Sequence, residues 1–312
     1  MTHTAISPET IPGEPKPSLF TFTLQVIREM RSVGKSRMSE KYNTALNSFR
    51  RFRDGCDIPL GQITSQTMLE YEAYLRGLGL TDNTCSFYMR NLRAIYNKAV
   101  DKGLVSQAMP FRNVYTGVDK TLKRAINVDA VRVIKRINLS KYPMEAFARD
   151  MFLFSFYTRG MSFVDMAFLR KTDLRMSTLS YRRRKTGQLL SMRLDHRMQA
   201  IIDRHPAPQD SPFLLPIINN PTGDRWKQYK NAMHNVNRAL KNVGVMSDLE
   251  ENLTMYVARH AWASIAYSNN IPIAVISSGL GHDSERTTRI YLASIDTAVI
   301  DNANETILQL LD

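Results

Sequence analysis

Ser278-Gly279-Leu280-Gly281-His282-Asp283-Ser284-Glu285-Arg286-Thr287-Thr288-Arg289-Ile290-Tyr291 is the most specific string in this 312-residue chain. A histidine follows a Leu-Gly pair, two threonines come next, and a tyrosine stands nine residues after the histidine. Thirteen tyrosines are present, and one picked blindly is a packing residue, so its context is what singles out Tyr291. Part of that context lies upstream, where Ala258-Arg259-His260-Ala261-Trp262-Ala263-Ser264 sets an arginine in an apolar, helix-forming run.

These two motifs, in this order and spacing from Leu253 to Tyr291, resemble those of the tyrosine recombinase (phage integrase) family. The resemblance implies that Tyr291 is the nucleophile and that Arg259 and His282 face the phosphate under attack. It also implies that Lys185, in Lys185-Thr186-Gly187 at the turn of an expected hairpin, is the family's catalytic lysine. Read alone, Lys185 is an ordinary turn residue, and Arg182, Arg183 and Arg184 before it are outer-face or phosphate-contacting residues.

Physical chemistry points the same way. Cleaving a phosphodiester without a metal requires cations around the phosphate, because negative charge concentrates on its non-bridging oxygens in the transition state. Arginine suits this, being permanently charged and offering a planar fork of donors. A phenol forms a reversible covalent ester, and a lysine can hand a proton to the departing oxygen.

Two positions depart from the family pattern. Where a Thr-Gly-Leu-Arg type of turn usually supplies a first catalytic arginine, three residues ahead of an acidic one, this chain reads Arg159-Gly160-Met161-Ser162-Phe163-Val164-Asp165. Aligned on Asp165, the arginine position holds Ser162. Arg159 stands about one helical turn earlier, within reach of the same phosphate if the segment is helical, and is expected to substitute. This pattern resembles a minority of the family, the variant integrases of mobile conjugative elements. Three residues before Arg259, where the family carries histidine or lysine, stands Tyr256, which can donate a hydrogen bond but adds no positive charge. His260 points to another side of its helix and is expected to be structural.

Outward from these motifs the chain reads as mainly α with a small β-sheet. Residues 1–18, with four prolines and almost no large apolar side chain, form an expected flexible arm. Apolar residues then recur at helical spacing: Phe22, Val26 and Met30; Tyr42, Leu46 and Phe49; Met68, Tyr71 and Leu75; and, behind caps at Thr81-Asp82-Asn83, Leu92, Ile95 and Ala99 up to Gly103. Residues 19–107 are therefore expected to be a four-helix domain, which the resemblance identifies as the SAM-like core DNA-binding domain. Arg50, Arg53, Arg90, Arg93 and Lys98 lie opposite its apolar stripe, as a solvated or a phosphate-contacting face.

Residues 108–125, with Pro110, Gly117 and the basic run Lys120, Lys123 and Arg124, read as a linker. Residues 126–312 read as a mixed α/β domain, which the resemblance makes the tyrosine-recombinase catalytic domain. Helical patterns cover Val128–Ile137, Met144–Leu169, Arg225–Val243, Tyr256–Ser268 and Ile273–Ser278, with a hairpin from Tyr181 to Leu194. In the C-terminal tail, Val299, Ile300, Ala303, Ile307, Leu310 and Leu311 share an apolar helical face, suited to self-packing or to a neighbouring protomer.

Composition agrees and narrows the field. With 42 Lys+Arg against 29 Asp+Glu the chain carries +13, which favours a polyanionic partner, nucleic acid or an anionic membrane surface. No stretch approaches the roughly 20 apolar residues of a spanning helix, and the polar N-terminus is not a secretory signal. Cys56 and Cys85 show no metal spacing and fit the thiols of a reducing cytoplasm. The six histidines form no ligand pattern, so neither metal nor cofactor is expected. The resemblance implies a clamp on double-stranded DNA at specific sites, a homotetramer, an accessory bending or directionality factor and a bacterial, nucleoid-associated location. Two other readings stay open: a type IB topoisomerase-like enzyme, and a catalytically silent DNA-binding relative.

Overall fold

The computed structural model describes residues 17–119, 126–250, 252–292 and 308, except the side chains of Ile290 and Tyr291. The expected arm up to residue 16, the basic run at Lys120–Arg124 and all of the tail but Leu308 lie outside the described residues. The chain divides into two compact units, Met1–Thr121 and Leu122–Asp312. Among the described residues no helix is long and apolar enough to cross a membrane.

Four helices build the first unit: α1 (Leu19–Ser32), α2 (Ser36–Phe52), α3 (Ser65–Gly77) and α4 (Asp82–Asp101). Each buries the stripe its sequence announces. Val26, Leu46, Phe49, Met68, Tyr71, Leu92 and Ile95 meet in one core, where Phe49 and Tyr71 pack edge to face at 5.0 Å. The buried Tyr71 hydroxyl donates to Ser48 Oγ at 2.8 Å, satisfying a group that would otherwise be costly to desolvate.

The unit runs past the boundary expected at 107. Phe111 and Val114 are buried in the same core. Asn83 receives the N–H of Asp119 at 2.9 Å, and Ser86 Oγ donates to the Gly117 carbonyl at 2.5 Å. Aromatic and apolar anchors in a Pro- and Gly-bearing stretch thus make a packed strap of its first part.

In the second unit α6 (Pro143–Tyr157) is the axis, buried on nearly every side through Met151, Phe152, Leu153 and Phe154. Against it pack α9 (Arg225–Met246) and α10 (Met255–Ser268), with α5 (Val128–Arg136) before it. A helix not foreseen in the sequence, α8 (His196–Arg204), is capped by Asp195 and buries Met198 and Ile201. Fully buried Asp150 joins it to α6. It takes bonds from Arg149 at 2.9 Å, Arg204 at 2.7 Å and His205 at 2.8 Å. Burial alone would raise the Asp150 pKa, but these donors outweigh it and hold the carboxyl below its ordinary value.

The sheet has three antiparallel strands in chain order: β1 (Leu174–Arg175), β2 (Thr178–Arg182) and β3 (Leu189–Arg193). Leu179 pairs with Met192 and Tyr181 with Leu190; Leu179, Tyr181 and Met192 are buried, the alternation of a half-covered hairpin. Three short helices complete the unit: α7 (Phe163–Ala167), α11 (Ile273–Leu280) and α12 (Glu285–Leu292). The single helix expected over Met144–Leu169 is broken between α6 and α7, because Arg159 (φ 60°) and Gly160 (φ 76°) are left-handed. Buried hydroxyls close this turn, Ser155 Oγ on the Met161 carbonyl and Thr158 Oγ1 on that of Phe154, both at 2.7 Å.

Candidate active site

The C-terminus of α11 organises the site. Its last carbonyls have no partner within the helix and carry the negative end of the helix dipole, so they favour cations. Two buried arginines take them up. Arg259 Nη2 donates to the Leu280 carbonyl at 2.6 Å, and its Nη1 to the Gly160 carbonyl at 2.7 Å. Arg183 Nη1 donates to the Gly281 carbonyl. Both arginines are only 7% exposed, which is tolerable for a permanent charge only because the backbone solvates it.

Gly281 ends α11 in the left-handed conformation (φ 63°), the usual geometry of a glycine cap. A Cβ there would come within 2.9 Å of Arg183 Cδ, and one at Gly160 would lie 2.9 Å from the Arg259 Cα. The glycines of the Arg-Gly and Leu-Gly-His strings thus allow backbone to approach the two arginines.

His282 follows at once. Its Nε2 lies 3.2 Å from Arg259 Nη2 and its Nδ1 2.8 Å from Thr288 Oγ1. A guanidinium can only donate, so Nε2 accepts and Nδ1 carries the proton toward Thr288. Burial, followed by the positive charges of Arg259, Arg183 and Lys185, lowers the His282 pKa from 6.5 to about 4. The imidazole is therefore neutral at neutral pH, and Thr288, fully buried, fixes its tautomer. That is the task of the second threonine in the Thr287-Thr288 pair.

The remaining sequence candidates fall into two groups. Lys185 lies in the exposed turn between β2 and β3, near enough for its charge to act on His282. Arg159 is exposed, and with Arg259 and Arg183 its charge acts on the Tyr181 phenol. That phenol is raised chiefly by burial. Tyr291 belongs to the last turn of α12, and its side chain is outside the described residues.

Ser162 and Tyr256 have other occupations. Ser162 caps α7, its Oγ donating to Asp165 Oδ2 at 2.6 Å. Tyr256 stays 58% exposed, its ring edge-on to His260 at 4.4 Å. His260 is buried at 3% exposure, as expected for a structural residue.

Arg183 is the residue that reading the sequence left undecided. The signal was present in strand alternation: continuing inward Leu179 and Tyr181 by two residues turns Arg183 inward and leaves Arg182 and Arg184 outside.

The chain matches the family model of the phage integrase SAM-like domain over residues 18–114 and that of the phage integrase family over residues 157–297. Among solved structures it is similar to a lambda integrase dimer bound to a core site, with TM-score 0.68, 15% identity, and 90% of this chain and 79% of that chain covered. It is similar to the XerH site-specific recombinase in a post-cleavage complex with its difH substrate, with TM-score 0.64, 15% identity and coverage of 91% and 84%. A third likeness is to the Tn1549 transposon integrase bound to transposon right end DNA, with TM-score 0.64, 14% identity and coverage of 95% and 100%. At such identities the structural likeness is one of fold. No curated protein matches the sequence.

Proposed function

Because this chain belongs to the phage integrase family of tyrosine recombinases, we propose that it cuts and rejoins DNA at specific sites through a 3′-phosphotyrosyl intermediate, with Tyr291 as nucleophile. The observation that carries this is the pair of buried arginines, Arg259 and Arg183, held by the carbonyls after α11 beside a neutral His282. Permanent cations fixed before the substrate arrives stabilise the charge that builds up on a phosphate under attack.

In this reading the Tyr291 phenol gives its proton to solvent as its oxygen forms a bond to the scissile phosphorus, and the bond to the 5′ oxygen breaks. Lys185 gives that oxygen its proton, yielding a free 5′ hydroxyl. Arg259 and Arg183 bind the non-bridging oxygens, with Arg159 as a third cation from the α6–α7 turn. His282 holds Arg259 in register and offers the phosphate a neutral, polarisable neighbour. The ester keeps the bond energy, so a 5′ hydroxyl from a partner duplex reverses the step without ATP. Two rounds among four protomers on double-stranded DNA complete an exchange, as in integration, excision or inversion. Tyr256 is a hydrogen-bond donor at the edge of the site. The solved lambda integrase tetramer on a Holliday junction supports the tetrameric reading. An accessory bending or directionality factor and a nucleoid location belong to the same proposal.

A randomised pool of nicked duplexes tests it. Covalent protein–DNA adducts are trapped in detergent, the captured DNA is sequenced to give the site, and the adduct is mapped by mass spectrometry. Adducts are expected on Tyr291, and Tyr291→Phe, which removes only the phenolic oxygen, should abolish them while leaving DNA affinity nearly unchanged. Binding without any adduct would instead establish a silent DNA-binding relative. Adducts with relaxation of supercoils but no exchange between two sites would establish a topoisomerase.

A further inference from the structure

The three arginines ahead of Lys185 go to three different places. Arg182 reaches across the turn to the Gly187 carbonyl at 3.2 Å, and Arg183 turns inward to the Gly281 carbonyl. Arg184 turns away from both. Its guanidinium lies 3.7 Å above the centre of the Phe168 ring and 5.7 Å from that of Trp226. These rings form a shelf: Phe168 and Trp226 are 5.0 Å apart, and each packs on the buried Tyr229. Trp226 is 41% exposed, a large apolar side chain kept at the surface.

The main chain of Arg184 is held as well. Its N–H donates to Asp165 Oδ1 at 2.8 Å, while Asp165 Oδ2 accepts the Ser162 hydroxyl at 2.6 Å. Asp165 is 4% exposed, and each of its carboxyl oxygens takes one of these contacts. The residue directly before Lys185 is thus fixed at both its backbone and its side chain, in a turn otherwise exposed from Arg184 to Gly187.

We propose that Arg184 is a positioning residue for Lys185: stacked on Phe168 and Trp226 and latched to Asp165, it sets the β2–β3 turn so that the lysine meets the departing 5′ oxygen. A planar guanidinium stacks on an aromatic face while keeping its charge. Ser162, standing where the family usually has an arginine, serves here as the brace behind the latch. The proposal rests on the reading of Lys185 as the proton donor.

Two substrates carrying the captured site separate positioning of an acid from other roles. One is ordinary DNA; the other has sulfur in place of the bridging 5′ oxygen, whose thiolate leaves without a proton. Lys185→Ala sets the reference, with loss on the oxygen substrate and recovery on the sulfur one. Arg184→Ala should follow the same pattern, slowing the oxygen substrate roughly 10- to 100-fold and the sulfur substrate by no more than about twofold. Trp226→Leu, a gentler change at an exposed ring, should show a smaller loss with the same recovery. Equal losses on both substrates, or none on either, would overturn the proposal. Lys185→Ala losing equally on both would instead remove the proton-donor reading and the positioning role with it.

Discussion

The two units of this molecule use arginine in opposite ways. In the helical unit apolar side chains meet one another across α1 to α4, and a basic residue such as Arg90 lies on the exposed side, its Nε reaching only the Ser86 carbonyl one turn back at 3.3 Å. In the catalytic unit Arg183 and Arg259 are drawn inside, where three backbone carbonyls from two separate turns receive them. A surface arginine can leave its position at little cost. A buried one is held by its surroundings, which is what a transition-state contact needs.

The same chemical change made in both units gives the largest expected contrast. Arg183→Ala should slow covalent cleavage on the order of 10²- to 10³-fold, as loss of a preorganised donor to a developing charge does. Arg90→Ala should leave cleavage at saturating DNA unchanged, and at most lower the slope of log affinity against log salt by about one, the loss of a single phosphate contact. If Arg183→Ala also changed only the salt slope, burial would not distinguish the two arginines, and Arg159 would become the better candidate for the missing first arginine.

The contrast also explains what could be read from the sequence. Helix stripes are local, since residues three or four apart share a face, so Phe22 to Met30 or Leu92 to Ala99 announced their helices directly. The Gly281-His282 and Arg259 motifs were legible through family resemblance. What escaped was decided by partners far along the chain. Nothing near Arg183 indicates that its carbonyl lies 98 residues away. Nothing near Ser162 indicates that the Asp165 it caps also reaches the main chain of Arg184. The break at Arg159-Gly160 hid inside an apolar run that fits one long helix equally well, and the strap at Phe111 and Val114 hid behind Pro110 and Gly117.

Two glycines sharpen the comparison at a smaller magnitude. Gly103 after α4 and Gly160 after α6 are both left-handed, with φ of 70° and 76°. A Cβ at Gly103 would meet nothing within 4 Å, whereas one at Gly160 would press on the Arg259 backbone. Gly103→Ala should cost only the strain of a left-handed alanine, about 1–2 kcal/mol, with cleavage per folded molecule unaltered. Gly160→Ala should cost the same strain and also displace Arg259, so that the cleavage rate falls beyond any loss of folded protein. Denaturant melts beside single-turnover cleavage would show it, and equal catalytic behaviour of the two variants would count against the close-approach role of Gly160.

The smallest effect is a titration. His282 is lowered to about 4 by burial and then by Arg259, Arg183 and Lys185. In the unfolded chain it titrates near its ordinary 6.5, so between that pH and about 4 the unfolded state binds a proton that the folded state refuses. The stability contributed by the neutral imidazole is complete above 6.5 and drains away as the pH falls through that window. In the helical unit the lowered acid is Glu29, held down chiefly by its hydrogen bond to Lys102, and its contribution persists until the pH drops below the ordinary 4.5 of a glutamate. Acidification from pH 6.5 to 5 should therefore weaken the catalytic unit before the helical one, as amide hydrogen exchange would report. By NMR the His282 ring should stay neutral across that range, and Arg183→Ala, by removing one positive neighbour, should move its midpoint up toward 6.5. A midpoint near 6.5 in the unaltered protein would mean that His282 is not enclosed by these cations, and the neutral acceptor beside Arg259 would be lost from the proposed site.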